Sequence, residues 1–460
     1  MTIAEATPDF EADHSDRAFL GHPKGLGYLA FVEGCERFSY YSMQTLLVLY
    51  MVNYLLLPEH AAGVVGLETL RGWYGGIDGQ PFASKIFGDY TSLVYLTPIL
   101  GGLIADRWLG RRTTLILGGL VMAVGHFLMA FEGAFLFALL ALIVGVGLFK
   151  GNIASQVGEL YGPNDLRRAM AFQIFYIAIN VSVIAAPLIS GTLGEKVGWH
   201  WGFATAGVVM VLGLILYIMA GPWLPPDNRP SKNADAKPAE PMTRQDWLRI
   251  SAVLTLVPVL AVALLTNQEI FNAYLVWADQ HFQLSFFGTT LPTSWMITID
   301  AAASFSMLAA VAAFYVWYGK RHREPDELGK MIIGSVFTIA GGLCLVFAAA
   351  TQGDGKIGLF WPVMFHLLNS IGFAHILPVS LALFTKLAPA RFNATIIGIY
   401  YLAFFAANYI VGTVGGWYSS MPTTSFWLFH VGTATVGLVA FILFKLFLAK
   451  RLMGGAPDER

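Results

Sequence analysis

Three charges fall inside an apolar run near the start of the chain: Glu33, Glu36 and Arg37, within Glu33-Gly-Cys-Glu36-Arg37-Phe38-Ser-Tyr40-Tyr41. Their i, i+3 and i+4 spacing puts all three on one face of a helix. The surrounding run, about 25–57, is longer than the roughly 20 apolar residues that span a bilayer. Ionisable groups at that depth are costly and are retained where they face a partner or a water-filled path. Carboxylates next to a guanidinium can take up and release a proton, so this cluster points to moving a proton or a charged solute. A static ion-pair network that only fixes helix packing is the plain alternative. Asp300, in the middle of the apolar segment Ser294-Trp295-Met-Ile-Thr-Ile-Asp300-Ala301, raises the same question again.

The elements that hold these groups are membrane helices. The 460 residues are 56% hydrophobic and only 12% charged, against about 25% charged in a soluble domain. Apolar runs recur at 25–55, 85–106, 112–131, 134–155, 168–191 and 203–222. A second set lies at 248–278, 293–319, 330–351, 358–384, 393–417 and 425–449. Between the sets lies a Pro- and charge-rich stretch, 223–247, which reads as a flexible linker. Residues 1–24 are polar and lack the apolar core of a signal peptide, so they read as a tail, as do 451–460. Cys35 and Cys344 both sit in apolar runs, which speaks against a structural disulfide.

Lys and Arg gather in alternate loops: Arg107, Arg111 and Arg112; Arg167 and Arg168; Lys232, Lys237 and Arg244; Lys320, Arg321 and Arg323; Lys386 and Arg391; Lys450 and Arg451. The other loops hold Glu59, Glu68, Asp78, Glu132, Asp279 and Asp354. By the positive-inside rule both termini and the linker are cytoplasmic, in the inner or plasma membrane of the cell. The expected fold is all-α and integral to the membrane: twelve transmembrane helices in two six-helix bundles, 25–222 and 248–450. Two such halves are the plan of the major facilitator fold. The segment from Gly101 to Arg112 resembles that superfamily's loop between helices two and three, its glycines allowing a tight turn and close helix approach.

The opening motif, Glu33-x-x-Glu36-Arg37-Phe38-x-Tyr40-Tyr41, resembles the first-helix signature of the proton-dependent oligopeptide transporters. Further matches run along the chain: Ser92-Leu-Val-Tyr95-Leu-Thr-Pro98, Gly147-Leu-Phe-Lys150-Gly-Asn152, and Phe172-x-x-Phe175-Tyr176-x-x-Ile179-Asn180. Gly198-Trp-His-Trp-Gly-Phe203, Thr385-Lys-Leu-Ala-Pro389 and Gly398-x-Tyr400-Tyr-Leu follow. Gly151 stands where proline is usual, and Ser182 where glycine is usual. The resemblance implies a proton-coupled symporter that imports di- or tripeptides. It also implies that Lys150 faces Glu33 and Glu36, and that Tyr41, Tyr95 and Asn180 line the pocket.

The peptide-recognising positions depart from the family pattern, in the first helix and in the C-terminal half. Gln44 stands where a basic residue often meets the peptide carboxylate. Anchoring on Asn272 and Trp277-Ala-Asp279 places the usual glutamate at Gln268, with Glu269 its neighbour, about 100° around the helix; both stay open. Asp300 aligns with an asparagine. It can hold a substrate ammonium, titrate, or sit protonated in the core. Phe373 replaces the glutamate that meets the peptide amine, and His375, two positions on, is either a packed core histidine or a pH-sensing cation. These exchanges leave a modified peptide or a non-peptide metabolite as the alternative cargo, and a non-transporting peptide receptor as a weaker one.

The expected partners are a small peptide-like solute, protons and the lipid bilayer, with no nucleic acid. A monomer is sufficient. The sequence has no glycine-rich phosphate loop, metal cluster or nucleophile–base spacing. An ion gradient therefore supplies the energy, with no cofactor, and no enzymatic activity is expected.

Overall fold

In the computed structural model, residues 16–162, 165–225, 242–387 and 393–449 are described. The linker residues 226–241, both outermost tails, Arg391, Lys450 and Arg451 lie outside them. Among the described residues there are twelve long helices: α1 Lys24–Tyr50, α2 Gly79–Ile104, α3 Arg111–Leu128, α4 Phe135–Glu159, α5 Arg167–Ala186 and α6 Trp199–Met219, then α7 Arg244–Glu269, α8 Trp295–Gly319, α9 Glu327–Thr351, α10 Phe360–Leu387, α11 Asn393–Val414 and α12 Thr423–Phe444. Among the described residues, nine helices are apolar and long enough to cross a membrane by length and composition. They are α4 to α12. The first three fall short because they carry polar groups: Glu33, Glu36 and Arg37 on α1, Lys85 and Asp89 on α2, and Arg111 and Arg112 opening α3.

Packing repeats with a shift of six. In the first half α1 packs on α5 and α6, α4 on α2 and α3, and α3 on α6. In the second, α7 packs on α11 and α12, α10 on α8 and α9, and α9 on α12. Two equivalent seams join the halves, α2 with α11 and α5 with α8.

Small residues bring the helices together, as expected where lipid removes the hydrophobic drive. A Cβ on Gly101 would lie 2.0 Å from the Gly147 carbonyl oxygen, so Gly101 sits inside α2 as a contact with α4, not in the loop. Gly110 makes the turn instead, at φ +79°, a conformation that favours glycine. Arg111 then ties Asp106, at 3.6 Å, to Glu159 of α4.

Helix α7 starts at Arg244, a few residues before the expected span, because Thr243 and Asp246 form a capping box there. It breaks after Glu269 and resumes as Ala273–His281. A short hairpin, Ser285–Phe286 against Thr289–Thr290, then leads into α8.

Candidate functional site

On α1, the Arg37 Nε lies 2.9 Å from Glu33 Oε1 and 2.6 Å from Glu36 Oε2. All three residues are buried, Glu36 completely. One guanidinium edge thus serves two carboxylates. Glu33 Oε2, both Glu36 oxygens and Arg37 Nη2 make no hydrogen bond among the described residues. The triad is a local product of helix spacing.

Lys150 of α4 does not pair with either glutamate. Among the described residues it makes no ion pair; its Nζ lies 4.5 Å from the Tyr95 ring centre and 5.7 Å from those of Tyr40 and Tyr401. Cation–π attraction over several faces holds an ammonium without neutralising it. Arg37 faces the same Tyr40 ring at 5.5 Å, so the two cations share one aromatic plate. Tyr401 belongs to α11, which puts Lys150 on the seam between the halves. Among the described residues Lys150, expected to face the glutamates, is held beside their cluster by a tyrosine cage and not by an ion pair. No spacing rule reveals Tyr401, which lies 251 positions away from Lys150 along the chain.

The other expected residues separate into groups. Tyr41 packs on Tyr40 and, across the seam, on Phe271 at the break of α7, with ring centres 6.3 Å apart. Tyr95 stacks on Phe404 of α11 at 5.1 Å. Gln44 is buried with its Oε1 unpartnered. Gln268 is buried at the end of α7 and donates Nε2–H to Asn267. Asn180 on α5 is half-buried and donates to the Tyr176 carbonyl.

Glu269 turns the other way. Its Oε1 accepts the Ala273 N–H at 3.1 Å, and its Oε2 lies 3.5 Å from His430 Nε2 of α12. It serves the α7 break inside the second half. Asp300 is paired with His366 at 2.9 Å, and His366 with the Tyr274 hydroxyl at 2.7 Å. The sequence reading missed both histidines. Each was visible only as a lone histidine in an apolar helix, at Phe365-His366-Leu367 and Phe429-His430-Val431.

Phe373 is two turns beyond His366, on the same face of α10. His375 is on the opposite face. It bonds Tyr315 of α8 at 3.1 Å and stacks near Phe337 of α9, at the floor of an apolar groove of about 460 Å³ that Phe314 and Tyr318 help line. The structure therefore does not bring His375 to the seam with the others.

Among the described residues, the hydrogen bonds between the halves gather at one end. Every hydrogen bond between them among the described residues lies at the acidic end, where α1, α5, α7 and α11 finish and α2 and α8 begin. Asn53 bonds Asp279, Gln80 the Gly415 carbonyl, Ser84 Asn272, Trp295 Thr192, and Thr298 the Ile184 carbonyl. Glu195 of the first half accepts the N–H groups of Thr293 and Ser294, at 2.6 and 2.8 Å, and so caps α8 of the second. A carboxylate at a helix N-terminus satisfies orphan donors and the helix dipole. Glu195→Ala is expected to weaken this closure by about 1–2 kcal/mol. Longer distances between spin labels at the exposed positions Val65 and Phe287 would show it; an unchanged distance distribution would remove the cap from the gate.

The family model of the Major Facilitator Superfamily matches residues 50–413. The chain is 30% identical to the uncharacterized transporter YclF of Bacillus subtilis, covering 95% of this chain and 96% of that protein. It is 28% identical to the peptide transporter YePEPT of Yersinia enterocolitica, over 87% and 89%. Among solved structures, a mutant of the peptide transporter POT in complex with alafosfalin is similar, with a TM-score of 0.82 and 27% identity over 95% and 97% of the two chains.

Proposed function

Since the chain belongs to the Major Facilitator Superfamily, within its proton-dependent oligopeptide transporters, we propose that it imports small peptides together with protons by alternating access. The observation that carries this is the buried Glu33–Glu36–Arg37 cluster beside the caged Lys150, at the seam between two halves whose hydrogen bonds, among the described residues, gather at the acidic end.

The charge arithmetic gives the cycle. With both carboxylates ionised, the cluster and Lys150 sum to zero. One added proton leaves a net positive charge, with Lys150 free to meet an anion. A peptide carboxylate is such an anion, and its binding restores neutrality in a site where an uncompensated charge is expensive. Substrate and proton therefore favour each other's binding, and the free site, neutral without either, is the form that returns.

The acidic, closed end faces outward and the basic end, with both termini, faces the cytoplasm of a plasma or inner-membrane protein. The structure is then the inward-facing state. Tyr41, Gln44, Tyr95, Asn180, Gln268 and Phe373 form the substrate surface. Gln44 and Gln268 present amides rather than charges, so the peptide termini are held mainly by Lys150 and hydrogen bonds.

Uptake of a labelled dipeptide into proteoliposomes under an inward proton gradient tests this reading. Accumulation above the protein-free control supports it, and no accumulation by the wild-type protein removes peptide as the cargo. Lys150→Ala is expected to lose accumulation and also to weaken dipeptide binding; unchanged binding would take Lys150 out of the substrate site.

A further inference from the structure

We infer that the second half carries a proton-binding site of its own, in which one proton is shared along Asp300, His366 and Tyr274. The inference rests on the reading of the chain as a proton-coupled transporter, and it adds a site that the α1 cluster does not include.

Three helical elements build it. Asp300 projects from α8, His366 from α10, and Tyr274 from Ala273–His281, the helix beyond the α7 break. His366 is fully buried, with one ring nitrogen 2.9 Å from the carboxylate and the other 2.7 Å from the phenol. Tyr274 is fully buried as well, under the rings of Trp277, Phe282, Phe365 and Trp427. Only the Asp300 side chain keeps some exposure, 11%. A proton therefore enters at Asp300.

No cation other than His366 pairs with Asp300 among the described residues. The groups facing the set are few. Trp427 of α12 is aromatic, α5 meets α8 through the Thr298 bond to the Ile184 carbonyl, and α9 meets α10 through Gly341 beside Asn369. The next titratable pair, Glu269 with His430, lies beyond the Phe426 and Trp427 rings.

Two proton arrangements fit the same heavy-atom positions. In the first, His366 Nδ1–H donates to the Asp300 carboxylate and the Tyr274 hydroxyl donates to Nε2. Every bond is made, and the set carries one negative charge. In the second, Asp300 is protonated and donates to Nδ1, while Nε2–H donates to the Tyr274 oxygen. The set is then neutral. The two arrangements differ by one proton gained at Asp300, a shift of the imidazole proton from Nδ1 to Nε2 and a turn of the Tyr274 hydroxyl hydrogen away from the ring. The heavy atoms stay in place, as the donor and acceptor capacities of the three groups allow. A largely buried carboxylate is unfavourable without polar surroundings, so the charged form needs a polar seam around Asp300 and the neutral form does not.

The site also spans the gate. Ser294, six positions before Asp300, takes part in the Glu195 cap, and Asn272, two before Tyr274, bonds Ser84 of the first half. Gaining or losing the proton changes the pull between α8, α10 and the α7 extension, the elements that form the second half's side of the closed end.

The test is a pH-difference infrared spectrum of the full-length protein in lipid, for wild type, Asp300→Asn, His366→Gln and Tyr274→Phe. Carboxyl and imidazole bands that appear together in wild type and are both lost in either of the first two variants would establish a shared proton. A carboxyl band unchanged in His366→Gln, or an imidazole band unchanged in Asp300→Asn, would overturn it. Tyr274→Phe keeps the packing and is expected to shift both bands, which guards against a folding defect in the other two. The second readout is the proton-to-substrate ratio from reversal potentials. It should fall by one in Asp300→Asn and His366→Gln while substrate counterflow continues, and an unchanged ratio would also overturn the site. If wild type shows no proton-driven uptake, the transport reading fails, and the infrared bands still decide whether the site binds a proton.

Discussion

Glu36→Gln is expected to abolish proton-driven accumulation of substrate while leaving exchange of substrate across the membrane intact. Glu36 is completely buried, and its carboxylate lies 2.6 Å from the Arg37 guanidinium. Removing one partner of a buried pair leaves an uncompensated charge, at a cost of about 3–5 kcal/mol. Here the charge left over is positive, because Arg37 and Lys150 then face Glu33 alone. The variant is a permanent copy of the protonated cluster. It binds an anionic substrate group well, cannot return empty, and has no proton to release.

Counterflow should therefore continue, while accumulation under a proton gradient falls by roughly the hundredfold or more that such an energy implies. The double variant Glu36→Gln with Lys150→Ala restores neutrality and is expected to regain thermal stability without regaining accumulation. If Glu36→Gln still concentrates substrate in response to the gradient, the proton is carried elsewhere and the α1 cluster is structural.

How much of this was open to reading from the sequence depends on distance along the chain. Glu33, Glu36 and Arg37 lie within one helical turn or so, and their shared face follows from 3.6 residues per turn. The twelve spans were legible too, because apolar length and loop charge are local properties. Helices α1 to α3 are the instructive ones. They look least like membrane segments by hydropathy, because two of them hold charged groups within the span and the third opens on two arginines.

Contacts between distant helices were not legible. Lys150 meets Tyr401, Asp300 meets His366, and Glu269 meets His430 only because particular helices pack at particular rotations. A rotation of about 100° separates Gln268 from Glu269, and only Glu269 reaches His430 of α12. His375 and Phe373 differ by two residues and face nearly opposite ways. The motif glycines taught a similar lesson: Gly101 serves helix contact, and Gly110 serves the turn.

Gly88→Ala is expected to shift the protein out of the conformation described here, because of where that glycine's neighbours lie. A Cβ on Gly88 would sit 2.3 Å from the Gly412 Cα and 2.8 Å from the Asn408 carbonyl oxygen. Both belong to α11, in the other half; a Cβ on Gly412 would in turn press on Gly88 and the Ser84 carbonyl of α2. The three nearest atoms that the added methyl meets therefore all belong to the other half, at the closed seam.

Overpacking of this kind costs about 1–3 kcal/mol, and a difference of that size moves a two-state equilibrium by about 5–150-fold. The nearby Ser84–Asn272 bond and the Lys85 ammonium over the Tyr409 ring, at 3.9 Å, would open with it. The expected protein is folded, holds its halves apart at the acidic end, binds substrate from that side and transports little. Spin labels at Val65 and Phe287 should report the separation, and thermal unfolding midpoints should stay near wild type. Normal distances with normal uptake would mean that α2 and α11 do not need this close approach during the cycle. Because the methyl group changes no charge, the result separates closure of the gate from protonation, which the carboxylate variants cannot do.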